Sequence, residues 1–445
     1  MFPALDRRTR PPGRRAAGVA RSGSARVAAT ALLLVATPAC TRDVGLLSFQ
    51  DAGYPADRTP DLDQRPDGGS GGIAGVGGAA GGAGGAGAVN GLCTSGPVHF
   101  PGATATCSAT LAARSHRFAL CSCSDFAVSA PLATDLLVSS ASSVVPGSAP
   151  AAVGANGKIT ATASLSLRGS LYASGAGGII LSGMVDVPKT LHSAGPVTVM
   201  QPGTASVTGD AFIGGDATGA LHVGGTLHLP PTATMGLATT ATTTVRETVS
   251  VPPPCDCTVP FDIGGVIQSL STTNDNASIG LNPNRLMTPG GTVGLDIPCG
   301  SYFLSGINSL SPINLSVHGR AMLAVGGDVL LSAGMTIIMD QGAELDLLIF
   351  GGITSYGTVP VGAYQAASLR IWIAGSSPLT FNGHPTIGGM FEAPLAPVNA
   401  PAGMEVDGSI VAASINLGDD VNVHYDPLIL SSGLECGDPQ LDPIP

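Results

Sequence analysis

A short phrase recurs along the chain between residues 157 and 426: an apolar strand of two to five residues, a glycine corner, and another strand. The string VGGTL at residues 223–227 returns as VGGDV at residues 325–329. Strand starts recur 8, 6, 8 and 8 residues apart, at Leu315, Leu323, Val329, Ile337 and Leu345. Short strands at such intervals predict coils that stack into a solenoid. A solenoid presents long flat faces that suit binding, whereas catalysis needs polar groups that converge on one of them.

Composition favours a narrow solenoid interior. Aromatic residues make up 4% of the chain and charged residues 11%, while hydrophobic residues reach 44%. Small and β-branched side chains fill a narrow coil, and glycine makes its corners. The hydrophobic content is also too high for a chain that is disordered throughout. We therefore expect an all-β fold with a sizeable core and exclude a bundle built on aromatic anchors.

The N-terminus has the layout of an export signal. Arginines dominate the first 26 residues, and the apolar stretch from Val27 to Ala36 follows them. This stretch is shorter than the roughly 18 residues that a spanning helix needs, so we predict a signal peptide over residues 1–39. The small residues before Cys40 resemble the lipobox of bacterial lipoproteins, which implies lipid modification of Cys40. The alternative is ordinary secretory cleavage, with Cys40 as a spare thiol.

Export with a lipid anchor predicts the cellular localisation of the protein. That place is the cell envelope of a Gram-negative-type bacterium, as an outer membrane lipoprotein that faces either the periplasm or the exterior. The Gly-rich stretch within residues 40–92 predicts a flexible tether between the anchor and the folded body. Without residues 1–39 the net charge is 12 − 29 = −17, from 12 basic and 29 acidic residues.

This charge limits the partners. A nucleic-acid-binding protein needs a basic footprint, so nucleic acid is excluded. The expected partners are the membrane, through the lipid anchor, and surface polysaccharide or other envelope proteins. The excess of acidic residues is compatible with binding of calcium, the one cofactor considered. The alternative explanation is that the negative charge serves only the solubility of the protein.

Eight cysteines follow Cys40, and an even number in an exported chain favours disulfides. The two C-x-C pairs keep a metal site open as an alternative, and the sequence does not determine the pairing. Four cysteines lie within residues 93–123, so we assign residues 93–150 to a Cys-rich cap over the open end of the solenoid. The disulfide candidates are Cys93, Cys107, Cys121, Cys123, Cys255, Cys257, Cys299 and Cys436.

The rest of the chain divides around an insertion. Residues 230–300 contain three cysteines and a short helix, and we interpret them as an insertion stapled by disulfides. The first coils then occupy residues 151–229, the C-terminal coils residues 301–436, and a tail residues 437–445. The apolar residues expected on one side of the helix are Phe261, Ile263, Val266, Ile267 and Leu270.

Several short sequence strings in the C-terminal half provide a basis for comparison with known families. They are CGSYFLSG at 299–306, LAVGGDVL at 323–330, LDLLIF at 345–350 and the ending GSIVAASINLGDDVNVHYD at 408–426. These strings resemble an uncharacterised domain family of bacterial predicted lipoproteins and pilus-associated or surface proteins. The resemblance implies a right-handed, single-stranded parallel β-helix without established catalytic residues.

A candidate surface site arises from the acids. Some parallel β-helices are polysaccharide lyases or hydrolases, whose chemistry needs carboxylates close together on an exposed face. Asp340, Glu344 and Asp346 are the densest acids, and the last two alternate with leucines and so point outward. Trp372 has the same outward parity, and either stacks on a sugar or is covered by a loop. No residue is predicted to be catalytic or to bind a metal.

Two other strings invite functional interpretations. His424-Tyr425-Asp426 could form a catalytic or metal cluster, but Pro427 follows at once. We therefore favour a terminating cap held by a His–Asp hydrogen bond. The threonine run at residues 239–244 is local, whereas threonine-lined ice-binding β-helices repeat threonine once per coil on a flat face.

The sequence thus predicts an extracytoplasmic, lipid-anchored structural or adhesive surface protein without catalytic activity. The basis is the combination of Cys40, the tether, the solenoid and the lack of a catalytic constellation. The alternative is a carbohydrate-active β-helix enzyme, either a lyase or a hydrolase, or a sugar-binding module.

Overall fold

The computed structural model describes residues 108–137, 151–358, 360–363 and 365–431. They form a solenoid of stacked parallel strands, which confirms the predicted fold class. The predicted signal peptide, tether and tail, with Cys40, Cys93, Cys107 and Cys436, lie outside the described residues. Within those residues, no helix combines the length and the apolar character needed to cross a bilayer.

Within the described part of the chain, three helices accompany the strands: α1 (Ser108–Ser115), α2 (Ile263–Thr272) and α3 (Asn276–Ile279), with 3-10 turns at Ala366–Ser368 and Pro427–Ser431. The strands before α2 are β1 (Leu120–Ser122), β2 (Phe126–Val128), β3 (Leu132–Leu136), β4 (Val153–Ala155), β5 (Ile159–Ala161), β6 (Leu165–Ser166), β7 (Leu171–Ala173), β8 (Ile179–Leu181), β9 (Met184–Val187), β10 (Leu191–Ser193), β11 (Val197–Val199), β12 (Thr204–Val207), β13 (Ala211–Ile213), β14 (Ala217–Thr218), β15 (Leu221–Leu229) and β16 (Thr240–Arg246). Those after α3 are β17 (Val293–Ile297), β18 (Gly300–Leu304), β19 (Ile307–Ser309), β20 (Ile313–Val317), β21 (Arg320–Val325), β22 (Val329–Leu331), β23 (Met335–Met339), β24 (Glu344–Ile349), β25 (Ile353–Ser355), β26 (Val361–Ala363), β27 (Leu369–Ile373), β28 (Leu379–Phe381), β29 (Thr386–Ala393), β30 (Val398–Ala400), β31 (Met404–Ala412), β32 (Ile415–Leu417) and β33 (Val421–Tyr425).

The strands line three faces of the solenoid. Face C is an eleven-stranded sheet with the spatial order β19-β22-β25-β28-β30-β32-β2-β5-β8-β11-β14. Faces A and B belong to one larger sheet, because β15, β16, β29 and β31 continue from one face onto the other. Face A includes β18, β21, β24 and β27 and, further along the axis, β1, β4, β7, β10 and β13. Face B includes β17, β20, β23 and β26 and then β33, β3, β6, β9 and β12.

Inward side chains form columns along the axis. On face A, successive coils place buried residues in register at Leu323, Leu347, Ile371, Phe391 and Ile410. Burial of one such side chain contributes on the order of 1.5–3 kcal/mol, so the columns hold the coils together. Because side chains alternate between the two sides of a strand, the apolar pattern also fixes which residues point outward.

The chain does not climb the solenoid from one end to the other. Its first coil lies in the middle, since β1 pairs with both β31 and β4, β2 with β32 and β5, and β3 with β33 and β6. From there the chain runs to one end at β16, resumes at the opposite end with β17, and returns to the middle at β33. The predicted cap over residues 93–150 is therefore wrong for residues 120–136, which form an internal coil paired on both sides.

The connection between the two ends is shorter than the predicted insertion of residues 230–300. It spans residues 247–292, because β16 still pairs with β15 and β17 already pairs with β20. Helix α2 packs on face A against β18, β21 and β24 and buries four of the five predicted residues, Ile263, Val266, Ile267 and Leu270, whereas Phe261 lies before the helix. At that end, the Asn276 side chain accepts from the Phe303 N–H at 2.9 Å and donates to its C=O at 2.7 Å. Asn276 thus takes the place of a neighbouring strand on the free edge of β18.

Two disulfide bonds attach this connection to the first coil. Cys121 pairs with Cys255 and Cys123 with Cys257, so each C-x-C pair faces the other. Cys299 is disulfide-bonded as well. The C-x-C pairs therefore bear out the disulfide interpretation over the metal alternative.

Candidate functional site

Face C carries an uncharged outward column. The helices pack on face A, whereas the outward residues of face C all keep part of their surface exposed. One outward residue from each strand stands in register with the next along all eleven strands. In spatial order they are Asn308, Leu330, Thr354, Thr380, Asn399, Asn416, Ala127, Thr160, Ile180, Thr198 and Thr218. Eight of these eleven are threonine or asparagine, and we call this column the face C ladder.

The ladder presents its polar groups in an ordered way. Asn416 Nδ2 donates to Asn399 Oδ1 at 3.1 Å, and the Thr218 hydroxyl lies 3.4 Å from that of Thr198. Adjacent strands lie about 4.8 Å apart, so the ladder repeats an amide or hydroxyl at about that interval except at Leu330, Ala127 and Ile180. Each of these groups keeps donor or acceptor capacity for a ligand, because one bond to a neighbour does not saturate it.

A shallow groove crosses the centre of face C. It has a volume of ≈360 Å³ and lies where the last coils of the chain meet the first. Small residues make the depression, namely Ala127, Ala400 and Gly418, while Asn399 and Asn416 supply amides. The groove therefore combines apolar surface with uncharged hydrogen-bonding groups.

The structure does not expose Asp346 and Trp372 of the predicted surface site. Both point outward from face A as the alternation predicts, but both are fully buried under the helices. Asp346 accepts hydrogen bonds from Ser108 of α1 at 2.9 Å and from Trp372 Nε1 at 2.9 Å. The Trp372 ring packs edge-on against Phe261 at 5.3 Å. Helix α1 and the irregular segment before α2, which contains Phe261, thus provide the cover.

The same cover encloses the basic partner of these acids. Arg370 is buried and binds Asp346 through Nε at 2.8 Å and Glu344 through Nη2 at 2.7 Å. Burial alone would lower the pKa of Arg370, but the two carboxylates raise it above its ordinary value. Glu344 is partly exposed, and Asp340 is exposed beside His318 at 2.9 Å. The four predicted residues therefore do not form one accessible site.

A second buried polar group lies beneath the turn that follows α1. His116 and Glu392 are both 1% exposed, with His116 Nε2 3.3 Å from Glu392 Oε2. Ser409 donates to the Phe118 C=O, so the 3.0 Å contact between Ser409 Oγ and His116 Nδ1 uses the imidazole N–H as donor. Burial lowers the pKa of His116 to about 3 and raises the pKa of Glu392 well above 4.5. The folded pair therefore holds one proton, on Glu392.

This pair predicts a stability optimum in pH. Between about pH 4.5 and 6.5 the unfolded chain also holds one proton on these two groups, on the histidine, so the pair adds no pH dependence. Above about pH 6.5 the unfolded chain loses that proton, and below about 4.5 it gains a second, so stability falls in both directions by up to about 1.4 kcal/mol per pH unit. Urea unfolding from pH 4 to 9 should show that Glu392→Gln removes the alkaline decline. Parallel curves for the two proteins would contradict the assignment.

The ending His424-Tyr425-Asp426 does not form the predicted terminating cap. His424 Nδ1 bonds to Asp135 of the first coil at 2.5 Å, and not to Asp426. Tyr425 is buried and donates to the His116 C=O, while Asp426 accepts from the Leu428 N–H. The string therefore joins the last coil to the first. The predicted His–Asp bond exists, but its acid lies 289 residues away in the sequence.

His424 also belongs to a cluster of possible metal ligands on face B. One oxygen each from Glu405 and Asp407 and one ring nitrogen of His424 lie within 4.8 Å of one another. His424 Nε2 is 3.3 Å from Glu405 Oε1. The three possible ligands lie on the neighbouring strands β31 and β33, and Asp135, which bonds to His424, lies on the next strand, β3.

A third polar region follows face A beyond the disulfides. The rings of Tyr172, His192, Phe212 and His228 stack on successive coils, with centroids 4.4, 4.8 and 4.3 Å apart. Between this stack and residues 252–254 lies a cavity of ≈230 Å³. Burial lowers the pKa of His192 to about 4, so this ring is neutral at neutral pH. The cavity is lined mainly by ring edges and prolines.

The face C ladder is the feature that sequence reasoning missed. Thr160, Ile180, Thr198 and Thr218 recur 20, 18 and 20 residues apart, and each directly follows a buried apolar residue of a short strand. That interval is the length of one coil, and it could have revealed the ladder. The local threonine run at residues 239–244 is not part of the ladder, since residues 240–244 lie in β16 at the end of the solenoid.

A family model and a solved structure align with parts of this chain. Residues 259–431 match a family model described as a domain of unknown function, DUF7305. This bears out the similarity to an uncharacterised domain family, while the association with lipoproteins and pili stays a prediction. No curated protein matches. A solved ice-binding protein from an Antarctic bacterium, Flavobacteriaceae, aligns at 12% identity over 72% of this chain and 99% of that chain, with a TM-score of 0.19. At this TM-score the two folds do not superpose as a whole, and the β-helix described above rests on its own strand pairing.

Proposed function

We propose that the protein is a non-catalytic adhesive protein of the cell envelope that binds an extended, uncharged polysaccharide along face C. The observation that carries this proposal is the face C ladder, an uncharged, in-register row of amides and hydroxyls on a face that the helices leave open. Cys40 would hold the protein to the membrane through a lipid, and residues 40–92 would let the solenoid stand away from it. Incorporation of labelled palmitate that is lost in Cys40→Ser tests the anchor.

Charge supports a neutral ligand. The whole chain carries a formal charge of −11, so it repels acidic polymers at long range. A ladder of uncharged residues suits a neutral ligand, because no charge on the ladder has to be desolvated on binding. Amide and hydroxyl groups at regular intervals can bond the hydroxyls of successive sugar units, and the alanine, leucine and isoleucine positions offer apolar contact to sugar C–H groups.

The central groove supports a binding position for single sugar units. Its volume lies at the lower end of the roughly 300–1,000 Å³ typical of ligand pockets. Asn399 and Asn416 are positioned by their mutual hydrogen bond, so little side-chain freedom is lost when a ligand binds. The carboxylates that a lyase or hydrolase would need at this place are absent from the residues that line the groove.

We expect the purified protein to bind neutral polysaccharides such as cellulose, xylan or mannan and not alginate or pectate. Asn416→Lys should weaken this binding at least tenfold, because the charge must be desolvated in the groove. Asn422→Lys is the matched control, since Asn422 is equally exposed but lies on face B. Pull-down and calorimetry measure the affinities.

Three outcomes would overturn the proposal. Equal binding by the two variants would move the ligand away from face C. Release of sugar products would support the enzyme alternative. Freezing-point hysteresis without polysaccharide binding would make ice the ligand.

A further inference from the structure

We propose that Glu405, Asp407 and His424 form a binding site for a divalent transition-metal ion of the zinc class, with Asp135 holding the imidazole from behind. The site lies on face B, at the junction of the last coils with the first. It is independent of the polysaccharide face, because it uses none of the residues of face C.

The orientation of His424 is the first argument. Its Nδ1 contacts Asp135, which leaves Nε2 directed toward Glu405 at 3.3 Å. Histidines that bind metals commonly give the other ring nitrogen to a carboxylate in this way, which fixes the ring and raises its basicity. Asp135 and His424 come from strands β3 and β33, so this pairing is a consequence of the internal position of the first coil.

The second argument is the surplus of negative charge. Asp135, Glu405 and Asp407 together carry three carboxylates against a single imidazole. Among the described residues, hydrogen bonds or ion pairs reach Asp135 and Glu405, while Asp407 receives neither. Asp407 is nevertheless half-buried and lies in register with His424. A cation between Glu405, Asp407 and Nε2 would satisfy Asp407 and relieve the repulsion.

The ligand set and its dimensions indicate the kind of ion. Ligand atoms about 2.1 Å from a tetrahedral zinc ion are about 3.4 Å from one another. The ligand atoms of this cluster lie within 4.8 Å of one another, so side-chain rotations that move them by about 1 Å bring them to that distance. One imidazole with two carboxylates suits zinc and its neighbours. Calcium prefers six to eight oxygen ligands, and these residues provide too few.

Metal binding at this site would join strands that lie near opposite ends of the folded sequence. Glu405 and Asp407 lie on β31 and His424 on β33, and the Asp135 that holds the ring lies on β3. An ion would therefore strengthen the contact between the last coils and the first, which are adjacent in space but far apart in the sequence.

The experiment is a zinc titration of the full chain after treatment with EDTA, followed by calorimetry and by thermal unfolding. We expect one zinc ion per chain to bind at this site and to raise the Tm. His424→Gln and Asp407→Asn should abolish that binding event, and Asp135→Asn should weaken it about 10- to 100-fold. His318→Gln is the matched control, because His318 also lies between two acids, Asp340 at 2.9 Å from Nδ1 and Asp296 at 3.8 Å from Nε2. These acids contact opposite ring nitrogens, and no third acid among the described residues converges with them.

The outcomes separate clearly. Loss of one bound zinc in His424→Gln and Asp407→Asn, with none lost in His318→Gln, supports the site. If wild type and all variants bind zinc alike, or if wild type binds none, the site does not exist. Asp407→Asn decides the matter should His424→Gln fail to fold, since Asp407 has no hydrogen bond to lose among the described residues.

Discussion

Replacing Asp346 by alanine should lower the free energy of unfolding by about 3–5 kcal/mol, because it leaves a buried charge without its main partner. The Asp346 carboxylate is fully buried and accepts from Arg370 Nε and Nη2, from Trp372 and from Ser108. After the substitution, Arg370 would keep its bond to Glu344, and the Trp372 and Ser108 donors would lose Asp346 as an acceptor. Each unsatisfied buried donor adds its own desolvation cost of roughly 1–3 kcal/mol, so the total lies at the upper part of the range.

Urea unfolding measures this loss, and a double variant tests its cause. Asp346→Leu with Arg370→Met removes both charges, so it should be less destabilised than Asp346→Ala by at least about 2 kcal/mol. Asp340→Ala is the surface control and should change stability by less than about 0.5 kcal/mol. A double variant as unstable as Asp346→Ala would show that packing, and not the unpaired charge, dominates.

Local pattern alone could predict which way these residues point, but not what covers them. Alternation of apolar and polar residues places Asp346 and Trp372 on the outside of their strands, and the structure confirms that direction. Their burial depends on Ser108, which is 238 residues away in the sequence, and on the helix that begins there. A period-two pattern contains no information about such a distant segment, so the sequence left the covering of Trp372 open.

The spatial order of the coils could not be predicted from the sequence for the same reason. Regular strand spacing predicts that each coil pairs with the next one along the chain, which places the first cysteines at an end. The free edges of β1, β2 and β3 instead receive the last coils, because those strands offer matching apolar columns, such as Ile410 beside Leu120. This pairing brings His424 to Asp135 and creates the groove of face C. Both candidate sites therefore arise from one long-range contact that no short string encodes.

The paired disulfides should show strong non-additivity, and this is the second large effect that we expect. Each bond closes a loop with a sequence separation of 134, worth about 5 kcal/mol of chain entropy by the usual relation. The two loops are nearly the same, so the second bond closes only the short ring between the C-x-C segments. That ring is worth about 2 kcal/mol. Removal of either bond should therefore cost about 2 kcal/mol, and removal of both about 7 kcal/mol.

The two pairs offer the variants for this test. Cys121→Ala with Cys255→Ala opens the buried bond, and Cys123→Ser with Cys257→Ser opens the half-exposed one. Guanidinium unfolding of the two double variants and of the quadruple variant gives a coupling of about 3 kcal/mol if the loops are shared. Simple addition of the two losses would mean that each bond acts through its local packing. In that case local contacts, such as the hydrogen bonds of Asn156 on the second coil with Cys255, would hold the connection over residues 247–292 to the first two coils.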